Sequence, residues 1–258
     1  IKPMFSLGFG FVEIGTVTPL AQNGNSKPRV HRINNEKAVI NHLGFNNKGV
    51  KKIKKNLLKF RANFYDNKII GVNIGKNKNT LNSNNDYLIC LEHLGNLASY
   101  IVINVSSPNT EGLRDLQQKD NIEKLIKNIN KKKSQIDSIN KKPILIKISP
   151  DLNDDQLRDI ALISLANNVD GLILTNTTTS RPKNFSKFYH DLKGGLSGQP
   201  LYSLSNVLIK KMYSLTNGQI PIIGVGGIAN GSDCYEKIKS GASLSQIYTT
   251  LIYSGPGI

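Results

Sequence analysis

The segment Tyr100–Arg114, YIVINVSSPNTEGLR, decides how this chain folds. Its first half is a short β-branched apolar run, as expected of a strand buried on both faces. Its second half packs two serines, a proline and two asparagines into a few positions, far more hydrogen-bonding capacity than a chain reversal needs. A strand that ends in such a cluster suggests a polar ligand at its C-terminal end.

Six further runs of the same kind flank it: FVEIGTV from Phe11, IIGVNIG from Ile69, PILIKIS from Pro143, VDGLILTN from Val169, IPIIGVGG from Ile220 and SQIYTTL from Ser245. Segments of helical periodicity, such as NIEKLIKNINKKK and NDDQLRDIALISLAN, lie between most of them. Asn153 with its two aspartates and Ser203 mark helix starts, and Gly95 and Gly218 mark helix stops. Alternation of this kind implies parallel strands joined by right-handed crossovers, as an open doubly wound sheet or as a closed barrel. Seven strands favour a TIM-type (β/α)8 barrel. The opening KPMFSLG reads as the end of a helix whose strand is absent, and the chain stops at TTLIYSGPGI without a closing helix. The expectation is a single barrel domain over residues 1–258, truncated at both ends and lacking the first strand. Thr18–Asn46 is too long for a minimal crossover and would emerge at the C-terminal rim, where barrels build active sites. KKKSQIDSINKK from Lys131 reads as a mobile loop.

Composition excludes several classes. No apolar run approaches the roughly 20 residues of a membrane-spanning helix. Cys90 and Cys234 are too few for a disulfide framework and lack zinc-site spacing, which favours a reducing compartment and structural thiols. The formal charge of +16 is unusual, but abundant Lys, Asn and Ile point to compositional drift. Asn47–Arg61 holds seven basic residues and no acid; Val50, Ile53, Leu57 and Leu58 recur in it at helical spacing, so its lysines form a solvated face. Contact with anionic lipid is the minor alternative, and no nucleic-acid motif accompanies the helix.

In a barrel the C-terminal strand ends face one pocket. They offer Gly15 and Thr16; Asn73 and Lys76; Asn104, Ser106, Ser107, Asn109 and Thr110; Lys147; Thr175, Asn176 and Thr177; Gly224, Gly226 and Gly227; and Tyr248 with Thr249. GVGG before a helix beginning near Gly231 supplies backbone N–H groups and a positive helix end, a place for phosphate, with Tyr248 and Thr249 sharing the task. GGLSGQPL from Gly194 is a second glycine-rich loop able to cover the same ligand. Lys147 sits inside an apolar strand, where burying an ammonium costs several kcal/mol unless an anion or dipole meets it. A flavin is one suitable partner, because positive charge near its N1 stabilises the reduced anion.

With these residues assembled, the sequence resembles the dihydroorotate dehydrogenases, and among them the membrane-associated, quinone-using class. NVSSPNTEGLRDLQ, GVNIGKNKNT, TNTTTSRP, GGLSGQPL, IPIIGVGGI, FGFVEIGTVTP and VINHLGFNNKG occur in the family's order and cover essentially the whole chain. The resemblance implies oxidation of dihydroorotate to orotate in pyrimidine biosynthesis, with the substrate flat against FMN while a base removes its C5 proton and hydride leaves C6. Ser107 matches the base, passing its proton on through water or Thr110. Asn41, Asn104, Asn109, Asn176 and Thr177 match the positions that hold the substrate, and Phe45 beside them would exclude water. Thr16, Asn73, Asn104, Lys147 and Thr175 would contact the flavin ring or ribityl chain; Ser197, Gly198, Gly226, Gly227, Tyr248 and Thr249 would surround it and its phosphate. Arg32 and Tyr248 match residues lining the quinone approach. Soluble relatives that use fumarate or NAD carry cysteine as the base, so the serine favours a ubiquinone-like acceptor.

The family's N-terminal helical membrane segment and an AGFDK-like strand, with a lysine for flavin and substrate, are not among these residues. The resemblance therefore implies peripheral membrane attachment through a segment outside them, at a bacterial inner membrane in preference to a mitochondrial one. No metal or nucleic acid is expected. Two alternatives remain open on the residues alone: another FMN or sugar-phosphate barrel enzyme, and a basic module whose lysine-rich helix binds nucleic acid.

Overall fold

The computed structural model describes residues 1–64 and 67–258. Seven parallel strands form one sheet: β1 (Phe11–Val17), β4 (Ile69–Ile74), β5 (Tyr100–Asn104), β6 (Ile144–Lys147), β7 (Gly171–Leu174), β9 (Ile222–Val225) and β10 (Leu244–Gln246), paired in that order. Six of them are runs read from the sequence; of the seventh, SQIYTTL, only Ser245 and Gln246 lie in a strand, and the expected helix-free end TTLIYSGPGI instead opens a short helix at Thr250–Ser254. Helices α2 (Gly49–Phe64), α3 (Ser83–Leu94), α4 (Lys119–Ser134), α5 (Asp154–Ala166), α7 (Tyr202–Leu215) and α8 (Gly231–Lys239) fall between consecutive strands of the sheet. This is the βα alternation of a TIM-type fold.

Apolar side chains divide by strand parity. Ile70, Val72 and Ile74, then Ile101 and Ile103, Ile144 and Ile146, Leu172 and Leu174, and Ile222 belong to the main core under the helices. Their alternates Tyr100, Val102, Leu145, Ile173, Ile223 and Val225, with Phe11, form a separate cluster on the inner face. Strands that look uniformly apolar thus serve two cores, as sheets covered on both faces require. The sheet curls enough for its edges to meet: Gln246 on β10 donates from Nε2 to Glu13 Oε2 on β1 at 3.1 Å.

Local signals explain the helices. Asn153 caps α5 in a reciprocal capping box, accepting from the Gln156 N–H at 2.9 Å while its own N–H donates to Gln156 Oε1 at 3.0 Å. Helix α2 buries Val50 and Leu57 and half-buries Ile53, leaving Lys51, Lys52, Lys55 and Lys59 in solvent; Leu58 joins them, 48% exposed. Ser203 caps nothing, because α7 begins at Tyr202 directly from a 3-10 turn over Gln199–Leu201. Gly95 keeps helical dihedrals and leads into a further 3-10 turn, whereas Gly218 stops the chain after α7 with φ +66°.

Two expectations are corrected. The stretch from Lys131 opens as the last turn of α4 and goes on to bury Ile139 in the main core, so it is not a free loop. GGLSGQPL and the long Thr18–Asn46 connection are not independent loops. Strands β2 (Val30–Ile33), β3 (Ala38–Asn41) and β8 (Gly195–Gly198) pair antiparallel into a second, three-stranded sheet. Its inner residues Ile33, Ala38, Ile40 and Leu196 gather with Phe185 into a third apolar cluster. Short elements complete the description: α1 (Lys2–Ser6), α6 (Lys187–Asp191) and α9 (Thr250–Ser254). Among the described residues no helix is long and apolar enough to cross a membrane.

Candidate active site

The inner face of the main sheet becomes polar toward its C-terminal end. Following the parity of each strand, the inward rows run Phe11 to Glu13, Tyr100 through Val102 to Asn104, and Leu145 to Lys147. Asn73 lies opposite Val102 in the ladder between β4 and β5. These polar ends join in one network. Asn73 donates to Glu13 Oε1 at 2.8 Å and accepts from Thr16 Oγ1 at 2.6 Å and Asn104 Nδ2 at 3.1 Å. Asn104 also donates to Thr16 Oγ1 at 2.9 Å, while its Oδ1 accepts from Ser106 Oγ at 3.1 Å and Asn176 Nδ2 at 3.3 Å. Asn176 donates to Ser106 Oγ at 3.0 Å. Tyr87, buried in α3, anchors the base of the network by donating to the Asn104 carbonyl at 2.8 Å.

Lys147 finds its counter-charge inside the fold. Its Nζ lies 3.7 Å from Glu13 Oε1 and donates to Gln246 Oε1 at 3.5 Å. The ammonium is therefore held at the rim of the inner face whether or not a ligand shares it.

A second group lies over the NVSSPNT loop. Ser107 is buried, and its Oγ accepts the Asn109 N–H at 3.2 Å. Asn109 donates to Asn41 Oδ1 at 2.9 Å, its Oδ1 meets His42 Nδ1 at 3.2 Å, and its carbonyl accepts from Asn25 Nδ2 at 3.1 Å. The second sheet thus delivers Asn41, at the end of β3, to the loop after β5. Phe45 holds φ +52° and brings its ring, like the Thr16 methyl, against Gly75. Thr110 and Thr177 each bury a hydroxyl that no described group pairs. Leaving such groups unpaired costs about 1–3 kcal/mol each, so both are suited to a polar ligand. Thr175 donates its N–H to Val225 at 2.9 Å, tying the end of β7 to β9.

Behind these loops stands Arg114, which sequence reading did not single out. It donates from Nε to the Ser106 carbonyl at 3.0 Å and from Nη2 to the Thr177 carbonyl at 3.0 Å, and pairs through Nη1 with Asp151 Oδ2 at 2.8 Å. Asp151 in turn accepts from the Thr178 hydroxyl and from the N–H and hydroxyl of Thr179. Burial raises its carboxyl, yet the hydrogen bonds from Thr178, Thr179 and Arg114, with the arginine's charge, outweigh that and hold it below the usual range. Loops after β5, β6 and β7 are fastened together there.

The glycine-rich segment after β9 has the form of an anion cradle. Gly226 and Gly227 take φ +123° and +72°, and a Cβ on Gly227 would stand 2.6 Å from the Tyr202 backbone nitrogen. Only glycine lets this backbone approach the start of α7 so closely. The N-terminus of α8, capped by Asn230, follows. Thr249 donates to Ser197 Oγ at 2.8 Å, and Ser197 donates to the Val39 carbonyl at 3.2 Å; Gly198 pairs with Ala38 at the end of β8. The second sheet and the loop after β10 thereby meet. Two residues expected at the site stand apart from these networks: Tyr248 is 73% exposed, and Arg32, exposed on β2, lines a surface cleft of about 350 Å³ with Phe185 and Tyr189.

Lys76 was visible as a strand-end residue but carried no role. It is buried, and a Cβ on Gly112 would lie 3.9 Å from its Nζ, which places the ammonium under the loop that carries Ser107. Asp86 supplies its countercharge; burial raises that carboxyl, against hydrogen bonds from Asn77 and Thr80 and the charge of Lys76. The lysine of GVNIGKNKNT, following an asparagine that faces the inner sheet, was the available signal. Glu13, lodged in the apolar run FVEIGTV, gave none beyond being a charge within a buried strand.

Known proteins resemble this chain in sequence and fold. The sequence profile of the dihydroorotate dehydrogenase family matches residues 1–258. A dihydroorotate dehydrogenase (quinone) from Rhodospirillum rubrum is 45% identical over 258 residues, covering 99% of this chain and 68% of the relative. The mitochondrial dihydroorotate dehydrogenase (quinone) of Mus musculus is 45% identical over 262 residues, covering all of this chain and 66% of the relative. A crystal structure of the Eimeria tenella enzyme in complex with ferulenol superposes with a TM-score of 0.92 at 40% identity, covering 99% of this chain and 73% of that one. The chain spans about two thirds of the length of the curated relatives it matches. On sequence and fold, the chain belongs to the dihydroorotate dehydrogenase family of oxidoreductases.

Proposed function

We propose that the full-length protein oxidises dihydroorotate to orotate, using FMN and passing the electrons to a quinone. The observation that carries this reading is the single hydrogen-bonded array formed by Thr16, Asn73, Asn104 and Asn176 beside the buried Ser107 loop. Neutral amides both donate and accept, which suits the alternating edge of a pyrimidine.

The residues present fit FMN. The Gly226–Gly227 cradle and the α8 N-terminus offer N–H donors for its phosphate, with Ser197, Gly198 and Thr249 beside them, while Thr16, Asn73, Asn104, Lys147 and Thr175 line the ring side. FMN supplies the hydride acceptor when bound. Asn41, Asn109, Asn176 and Thr177 orient the substrate, and Phe45 excludes water. Ser107 takes the C5 proton. The Asn109 N–H that its Oγ accepts stabilises charge developing on that oxygen as the serine's own proton leaves, through water or the unpaired hydroxyl of Thr110. Quinone would approach from the side of Tyr248 and Arg32, at a membrane that carries it; relatives of this name include bacterial and mitochondrial proteins.

Ser107→Ala tests the assignment. It should lower the rate of dihydroorotate-dependent flavin reduction by roughly 10²- to 10⁴-fold while flavin stays bound. A rate within a few-fold of wild type at saturating substrate would remove Ser107 from the mechanism.

A further inference from the structure

Glu13 has no place in the chemistry above, yet its carboxylate lies buried where the two edges of the main sheet meet. Its side chain is 8% exposed, and three partners converge on it: Asn73 Nδ2 at 2.8 Å, Gln246 Nε2 at 3.1 Å and Lys147 Nζ at 3.7 Å. Burying a carboxylate is costly unless it is paired and hydrogen-bonded, and here both conditions hold. We propose that Glu13 is a positioning residue of the flavin site, orienting the amides that line it and balancing the ammonium of Lys147. The proposal rests on the flavin reading given above.

The orienting effect follows from donor and acceptor counts. A carboxylate only accepts, so Asn73 must turn its NH₂ toward Glu13 and its Oδ1 toward Thr16 and Asn104. Asn104 then has to present its NH₂ to Asn73 and Thr16, which leaves its Oδ1 for Ser106 and Asn176. The anion on β1 thereby sets one end of a chain of amides whose other members are held in the same polarity by backbone donors, the Ser106 N–H on Asn104 Oδ1 at 3.2 Å and the Thr177 N–H on Asn176 Oδ1 at 2.8 Å. An amide at position 13 would release the constraint only at that end, on Asn73 and Gln246.

The charge effect is separate. A cation beside the flavin ring favours the reduced, anionic form, and Glu13 offsets the cation of Lys147 at 3.7 Å. Removing the negative charge should leave Lys147 uncompensated and shift the bound flavin toward reduction. A residue with a merely structural role would not move the potential in a defined direction.

The test is the midpoint potential of flavin bound to the full-length protein, for wild type and Glu13→Gln. The expected result is a ratio of reduced to oxidised flavin about tenfold higher in the variant at the wild-type midpoint, a positive shift of about 30 mV for a two-electron couple. An unchanged or more negative potential overturns the proposal while leaving the flavin reading intact. A wild-type protein that holds no flavin overturns both. Should Glu13→Gln fail to retain flavin, Lys147→Met is compared with the double variant E13Q/K147M. The double variant should again favour reduced flavin about tenfold over K147M alone, and equal potentials overturn the proposal.

Discussion

At the scale of single residues, the site is built from side chains whose surroundings leave little freedom. Gly227 is the sharpest case. Its φ of +72° is unfavourable to any side chain, and a methyl there would collide with the backbone of Tyr202, which cannot yield as a flexible side chain could. Gly227→Ala should therefore cost more than about 1 kcal/mol of stability and weaken flavin binding by displacing the cradle. Urea unfolding together with fluorescence titration of released flavin would measure both, and unchanged values would show that the segment relaxes without cost. GVGG was legible as a tight glycine turn ahead of a helix because that signal is local. Lys147 was legible as a buried cation in need of a partner, but the identity of that partner was not. Glu13 lies on another strand, and only the curl of the sheet brings the two within 3.7 Å. The same holds for Arg114, whose contacts with Thr177 and Asp151 reach loops that are remote in sequence.

At the scale of elements, alternation along each strand does what no single residue could. Ile101 and Ile103 face the helices while Tyr100 and Val102 face the interior, so the next inward position, Asn104, arrives at the ligand end with no turn required. The apolar runs announced the seven strands for this reason. The second sheet escaped notice because its strands are four residues each and one of them, GLSG, is rich in glycine, which reads as a loop unless its partners are known. The fastening of three loops by Asp151 has a pH signature. Its carboxyl is held below the unfolded value, so it contributes stability above about pH 4 that is lost as pH falls through the folded pKa. Asp151→Asn should thus be less stable than wild type at neutral pH, with the difference shrinking as pH falls below about 4. Urea midpoints across pH 2.5–7 follow this directly; a gap that stays constant with pH would mean that Asp151 contributes through packing alone.

At the scale of the whole molecule, a curled parallel sheet carries an apolar interior at one end and a polar, hydrogen-bonded face at the other, and the second sheet closes over that face through Asn41 and Ser197. Lys51, Lys52, Lys55 and Lys59 of α2, which add to the +16 charge, lie in solvent outside this arrangement. What the polar face does is read by anaerobic titration of the full-length protein with dihydroorotate, followed by absorbance at the flavin band. Bound flavin should bleach in proportion to added substrate and regain its colour when a ubiquinone analogue is supplied, but not with fumarate or NAD⁺. Flavin that stays oxidised in the presence of excess dihydroorotate would show that this face does not oxidise dihydroorotate.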